Sequence, residues 1–133
     1  MTLHSPSSTL RELVADKKRG ESFAPEKDAV LFIEFQPNPE RREGFALAQL
    51  LHYILDANPA AASGKEAEVP PERLTLAFST ADVVVLGWRL LALTAALREH
   101  KLGFVRAVSG RYSNLEQDKP HVAEIVIQPP GKS

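Results

Sequence analysis

Hydrophobic and polar positions change character several times along the chain, and each change marks an expected element. Residues 1–28 are polar and irregular, except that Thr9-Leu10-Arg11-Glu12 forms a capping-box pattern ahead of Leu13 and Val14, with Gly20 as the stop. Three apolar positions cannot hold a short helix in water, so this stretch reads as a flexible N-terminal segment. From Ala29 the run AVLFIEF is rich in β-branched and aromatic residues and is broken by Gln36-Pro37-Asn38-Pro39, which predicts a strand. Asn38-Pro39-Glu40 then fits the N-cap, N1 and N2 positions of a helix, and Leu47, Leu50, Leu51 and Ile54 recur at helical spacing up to Asn58-Pro59. The pattern therefore predicts a helix over about 39–57.

Residues 58–72, NPAAASGKEAEVPPE, carry three prolines and no period, and read as a loop or linker. LTLAF alternates, Ser79-Thr80-Ala81-Asp82 has turn chemistry and VVVLG follows, which predicts a tight hairpin. WRLLALTAALREHKLG is made of good helix formers and closes on His100, Lys101 and Gly103, so a second helix is expected over 88–103. FVRAV gives a strand, Ser113-Asn114-Leu115-Glu116 a helical turn, and HVAEIVIQ the last strand before a tail at 129–133.

This order predicts one α+β domain over 29–128. The expected architecture is a two-layer sandwich of ferredoxin-like β-α-β-β-α-β order with an additional C-terminal strand, both helices covering one face of the sheet. The other face would stay open and carry Val30, Phe32, Thr75 and Ala77 with Val84. On the second helix, Leu90, Leu93 and Leu97 form one stripe, while Trp88, Leu91 and Ala95 add a second that one sheet contact does not use. Surplus apolar surface of this kind points to association. Phe32, Thr75, Val84, Trp88, Leu91 and Ala95 are accordingly the candidate interface residues.

Composition narrows the chemistry. The 133 residues include no cysteine, which excludes disulfides, thiolate nucleophiles and cysteine-bound metal, and fits a cytoplasmic location. Sixteen Lys and Arg against seventeen Asp and Glu give a formal charge of −1, which disfavours nucleic acid as a partner. No basic leader precedes an apolar run, and no run reaches the length of a membrane span.

Acid–base candidates lack partners. His4 lies in the tail, His100 at a helix C-terminus and His121 at the start of a strand. His52 and Asp56, four apart on the expected first helix, supply two ligands where a metal site needs a third. Ser79, Thr80 and Asp82 are explained by turn chemistry. The terminal Gly131-Lys132-Ser133 matches the end of a phosphate-binding loop but has no helix after it. No catalytic residue, cofactor or metal is therefore assigned.

An RNA recognition motif has the same element order, and Leu31-Phe32-Ile33 resembles the start of one of its signatures. Asp82–Leu86 lacks the basic and aromatic residues of the other, which leaves Arg41, Arg42, Arg106 and Arg111 as a small basic patch. The leading expectation is a non-enzymatic interaction module, a homodimer or a domain with a protein partner. The alternatives are a small-molecule-binding or enzymatic dimeric barrel, with His121, Arg111, Tyr112 or Asp82 in its pocket, and an RNA-binding domain.

Overall fold

The computed structural model describes residues 21–63, 69–108 and 119–131. In chain order these form β1 (Phe32–Asn38), β2 (Arg41–Ala46), a 3-10 turn (Leu47–Gln49), β3 (Leu50–Ala57) and a second 3-10 turn (Pro59–Ser63). There follow β4 (Glu72–Phe78), β5 (Asp82–Trp88), helix α1 (Leu91–Arg98), β6 (Phe104–Arg106) and β7 (His121–Gln128). The strands make two sheets, one ordered β2-β1-β6 and one ordered β3-β4-β5-β7. The expected ferredoxin-like α+β sandwich is thus overturned. The chain is mostly β, with one helix among the described residues longer than a 3-10 turn.

The helix expected over 39–57 is two strands. Asn38 Oδ1 accepts the N–H of Glu40 at 2.8 Å, the kind of bond an N-cap makes, but here it stabilises a reversal in which Asn38 pairs with Arg41. β2 then runs back along β1, opposing Ile33 to Phe45 and Glu34 to Gly44. The 3-10 turn carries the chain to the other sheet, where β3 pairs with β4: Tyr53 faces Leu76, Leu55 faces Leu74 and Ile54 faces Thr75. The helical stripe is divided by this path. Leu47 and Leu50 pack on the core, whereas Leu51 and Ile54 are exposed. A window of apolar residues fits periods of 3.6 and 2 in part, and the long-range partners decide between them.

The inner faces of the two sheets share one core. Ile33, Phe35, Phe45 and Val105 of the first meet Leu74, Leu76, Phe78, Val83, Val85 and Ile125 of the second. At its centre Phe45 stacks on Phe78 with centroids 4.7 Å apart, and Phe35 stands edge-on to both at 6.0 and 6.1 Å. Leu90, Leu93, Ala96 and Leu97 add the buried side of α1 to the same core.

α1 is shorter than the pattern predicted. Trp88 belongs to β5, Arg89 takes a left-handed φ of 58° and the N–H of Leu90 is accepted by Glu72 Oε1 at 2.7 Å. The helix ends in a Schellman motif: Lys101 N–H reaches Ala96 O at 2.8 Å and His100 N–H reaches Leu97 O at 3.0 Å, with His100 left-handed at φ 61°.

The described part of the N-terminal segment lies against the C-terminal strands. Ser22 Oγ accepts the N–H of Val122 at 2.7 Å while its carbonyl accepts the N–H of Arg106. Glu26 and Val30 donate their N–H groups to Lys101 O and His100 O. The loop over 58–72 is clamped at its base by Asn58, whose amide donates to Pro70 O at 2.7 Å and whose N–H donates to Pro71 O. The capping-box patterns at 9–12 and 113–116 lie outside the described residues.

Candidate interaction surface

Period-2 alternation in β3, β4, β5 and β7 sends one set of side chains to the core and the other to the outer face of the four-stranded sheet. Strand register places Ile54, Thr75, Val84 and Val126 in one row straight across that face. Ile54 is 49% and Val126 37% exposed, with Thr75 and Val84 half-buried between them. A second row holds Asp56, Arg73, Leu86 and Glu124, and a third His52, Ala77, Asp82 and Gln128. The result is an apolar middle bounded by polar and charged ends.

Arg73 clamps Asp56 through two bonds, Nε to Oδ1 at 3.0 Å and a terminal nitrogen to Oδ2 at 2.8 Å. That bidentate bond holds the Asp56 carboxyl below the usual carboxylate range and the guanidinium above its own. The pair orients the charged end of the face.

Of the six residues singled out in the sequence, only Thr75 and Val84 face each other across a pair of strands. Phe32 is exposed on β1, in the other sheet. Trp88 ends β5 with its ring 5.4 Å from that of His121. Leu91 is exposed and Ala95 half-buried on α1, on the side of the helix away from the buried Leu93, Thr94, Ala96 and Leu97. Ile54 escaped notice because helical spacing assigned it to a core stripe. The alternation of His52, Ile54 and Asp56 against Tyr53 and Leu55 was the signal that carried it.

The acid–base candidates do not converge. His52 and Asp56 share a strand face, but four residues of β structure separate them by about 13 Å, too far to grip one ion. Among the described residues no three His, Asp or Glu side chains cluster as metal ligands would. Asp82 pairs opposite Gln128 and accepts the N–H of Gly131 at 3.0 Å, while His121 pairs opposite Trp88 at the far end of β5, about 20 Å away. The pocket expected to combine them is not formed, and Arg111 and Tyr112 lie outside the described residues. Ser79 bonds Gln49 through both backbone and hydroxyl, which ties the β4–β5 hairpin to the entry of β3.

The basic patch is split as well. Arg41 turns onto Glu43 at 2.5 Å, whereas Arg42 and Arg106 line a common cleft on the outer side of the three-stranded sheet. No helix among the described residues is long and apolar enough to cross a membrane. No family model, curated protein or solved structure matches the chain.

Proposed function

We propose that this protein is a non-enzymatic association module that pairs with a second copy of itself through the outer face of its four-stranded sheet. The observation that carries the reading is the cross-strand row Ile54–Thr75–Val84–Val126, an apolar line exposed at both ends and flanked by Leu86 and Ala77. Beta-branched side chains in register offer a flat, stiff surface, and a two-fold axis through its middle sets each residue of the row against the row of the partner. Asp56, Arg73 and Glu124 stay at the rim, where water still reaches them.

The size of the face sets the strength of the pairing. Four strands about 4.8 Å apart and seven residues of about 3.3 Å each span roughly 440 Å². That is near half of the roughly 800 Å² per partner that a standard stable interface buries. Pairing is therefore reversible and concentration-dependent. Sedimentation velocity from low to high micromolar protein is expected to show the mean mass rising from monomer toward dimer, and Val84→Glu is expected to hold the chain at monomer mass. Wild type that stays monomeric over the whole range refutes the reading.

A further inference from the structure

We propose that the free edge of β3 pairs with β3 of a second copy of this chain, antiparallel about a two-fold axis at Ile54, and so joins two face-to-face pairs into a tetramer. The pairing rests on the face-to-face association, because a single short edge contact is too weak to hold two chains alone.

The edges of the two sheets are not alike. β2 opens with Arg41-Arg42-Glu43, the charged kind of edge that resists pairing. On β6 the N–H of Arg106 goes to Ser22 O, and β7 is bound at Val122, whose N–H goes to Ser22 Oγ and whose carbonyl accepts the N–H of Val108. β3 has no such cover among the described residues. Its residues, Leu50–Ala57, include no proline or lysine and a single carboxylate, and Leu51, His52, Ile54, Asp56 and Ala57 are all exposed. An apolar edge of this kind is a template for another strand.

Hydrogen-bond parity fixes which backbone groups that edge offers. Asn58 N–H goes to Pro71 O and Phe78 N–H to Ala81 O, so Arg73, Thr75 and Ala77 bond toward β3, and Asp56, Ile54 and His52 bond back to them. Tyr53 and Leu55 therefore aim their N–H and C=O groups away from β4, along the open edge. The register shift between Leu50 and His52 bends the start of β3 out of line and leaves residues 52–56 as the straight segment. A two-fold axis at Ile54 uses that segment in full. Tyr53 meets the partner's Leu55, Leu55 meets the partner's Tyr53, and each pair exchanges both N–H···O bonds.

The side chains agree with that register. Ile54 stands against the partner's Ile54, and the imidazole of His52 against the partner's Asp56, twice by symmetry, with β carbons about 5 Å apart. Arg73 holds Asp56 from the β4 side through one bond to each oxygen. A carboxylate accepts about four bonds, so Asp56 keeps room for a His52 N–H from the other side. Moving the axis to Leu55 would set Ile54 against Asp56 and lose the match. With the axis at Ile54 the row Ile54–Thr75–Val84–Val126 runs on across the joint into its copy. The outer face then doubles from roughly 440 to roughly 880 Å², past the roughly 800 Å² per partner of a standard stable interface. A face axis laid along the row crosses the edge axis at Ile54, and four chains close with dihedral symmetry.

The test is sedimentation velocity of the full chain extended to millimolar protein, with amide hydrogen exchange followed residue by residue at the same concentrations. Wild type is expected to pass the dimer and reach tetramer mass. The amides of Tyr53 and Leu55 are expected to lose their fast exchange there, while those of Ile54 and Asp56, bonded to β4 in every state, do not change. His52 is exposed, so His52→Glu keeps the fold, sets a carboxylate against Asp56 and is expected to stop at dimer mass. Val84→Glu is expected to remain monomeric. Dimer mass at the highest concentration, with Tyr53 and Leu55 exchanging freely, overturns the proposal and leaves the face-to-face reading intact, whereas monomer mass throughout refutes both. Tetramers that persist in His52→Glu overturn it too, as does protection of Tyr53 and Leu55 that is independent of concentration, the mark of an edge covered by the chain itself or by a bound peptide.

Discussion

His100 occupies a position where the backbone asks for glycine. Its φ of 61° is the left-handed conformation that closes the Schellman motif of α1, and an L side chain there costs about 1 kcal/mol. His100 is solvent-exposed, so the ring contributes little packing in return. His100→Gly is expected to raise stability by up to about 1 kcal/mol, read as a higher urea midpoint at unchanged m-value. His121 presents the opposite case, a ring only 3% exposed, whose burial lowers the imidazole pKa below its ordinary value. The unfolded chain then binds the proton more readily than the folded one. Stability is complete above about pH 6.5 and is lost as pH falls below it. Urea unfolding at pH 7.5 and 5.5 is expected to show that loss, and His121→Gln to show a smaller one. Gly87 is needed for a different reason again, since a Cβ there would lie 2.1 Å from the carbonyl oxygen of His121 across the bulge between β5 and β7. The sequence placed His100 at a helix end, but its left-handed backbone, the burial of His121 and the close approach at Gly87 are each imposed by a neighbour remote in sequence or by the geometry of a helix end.

Among the elements, β4, β5 and β7 are legible from alternation, because one face of each is buried and the other is not. β7 runs over His121–Gln128, the same eight residues that the pattern marks. β2 and β3 are the counterexample. Asn38-Pro39-Glu40 carries a side-chain-to-backbone bond that serves a helix start and a hairpin turn equally well, and the leucines after it satisfy two periods at once. Their partners, β1 for one and β4 for the other, lie outside any local window. That misassignment concealed one of the four strands of the candidate surface, since Ile54 belongs to the face only once β3 is a strand. Arg42 and Arg106 were legible as basic residues, but their meeting in one groove depends on both β2 and the parallel β6 lying beside β1.

At the scale of the whole molecule, the Phe35–Phe45–Phe78 cluster joins a parallel-containing sheet to an antiparallel one, setting the β1–β2 hairpin against the sequence-remote β4. Phe78 is 1% exposed and touches both other rings, so Phe78→Ala is expected to cost about 3–5 kcal/mol. Thermal or urea unfolding checks it, and a loss below about 1 kcal/mol would mean that the two sheets are not held there. The sequence by itself determined the turn between β4 and β5, the dry faces of β4, β5 and β7 and the absence of any cysteine chemistry, because turn preference, period-2 alternation and composition are local properties. Only the tertiary structure decided that an apparently helical stretch becomes two strands in different sheets, that Ile54, Thr75, Val84 and Val126 form one row, and that Arg42 and Arg106 share a cleft. Those outcomes rest on pairing between segments far apart in the chain, whose hydrogen bonds and buried area outweigh local propensities worth a fraction of a kcal/mol per residue.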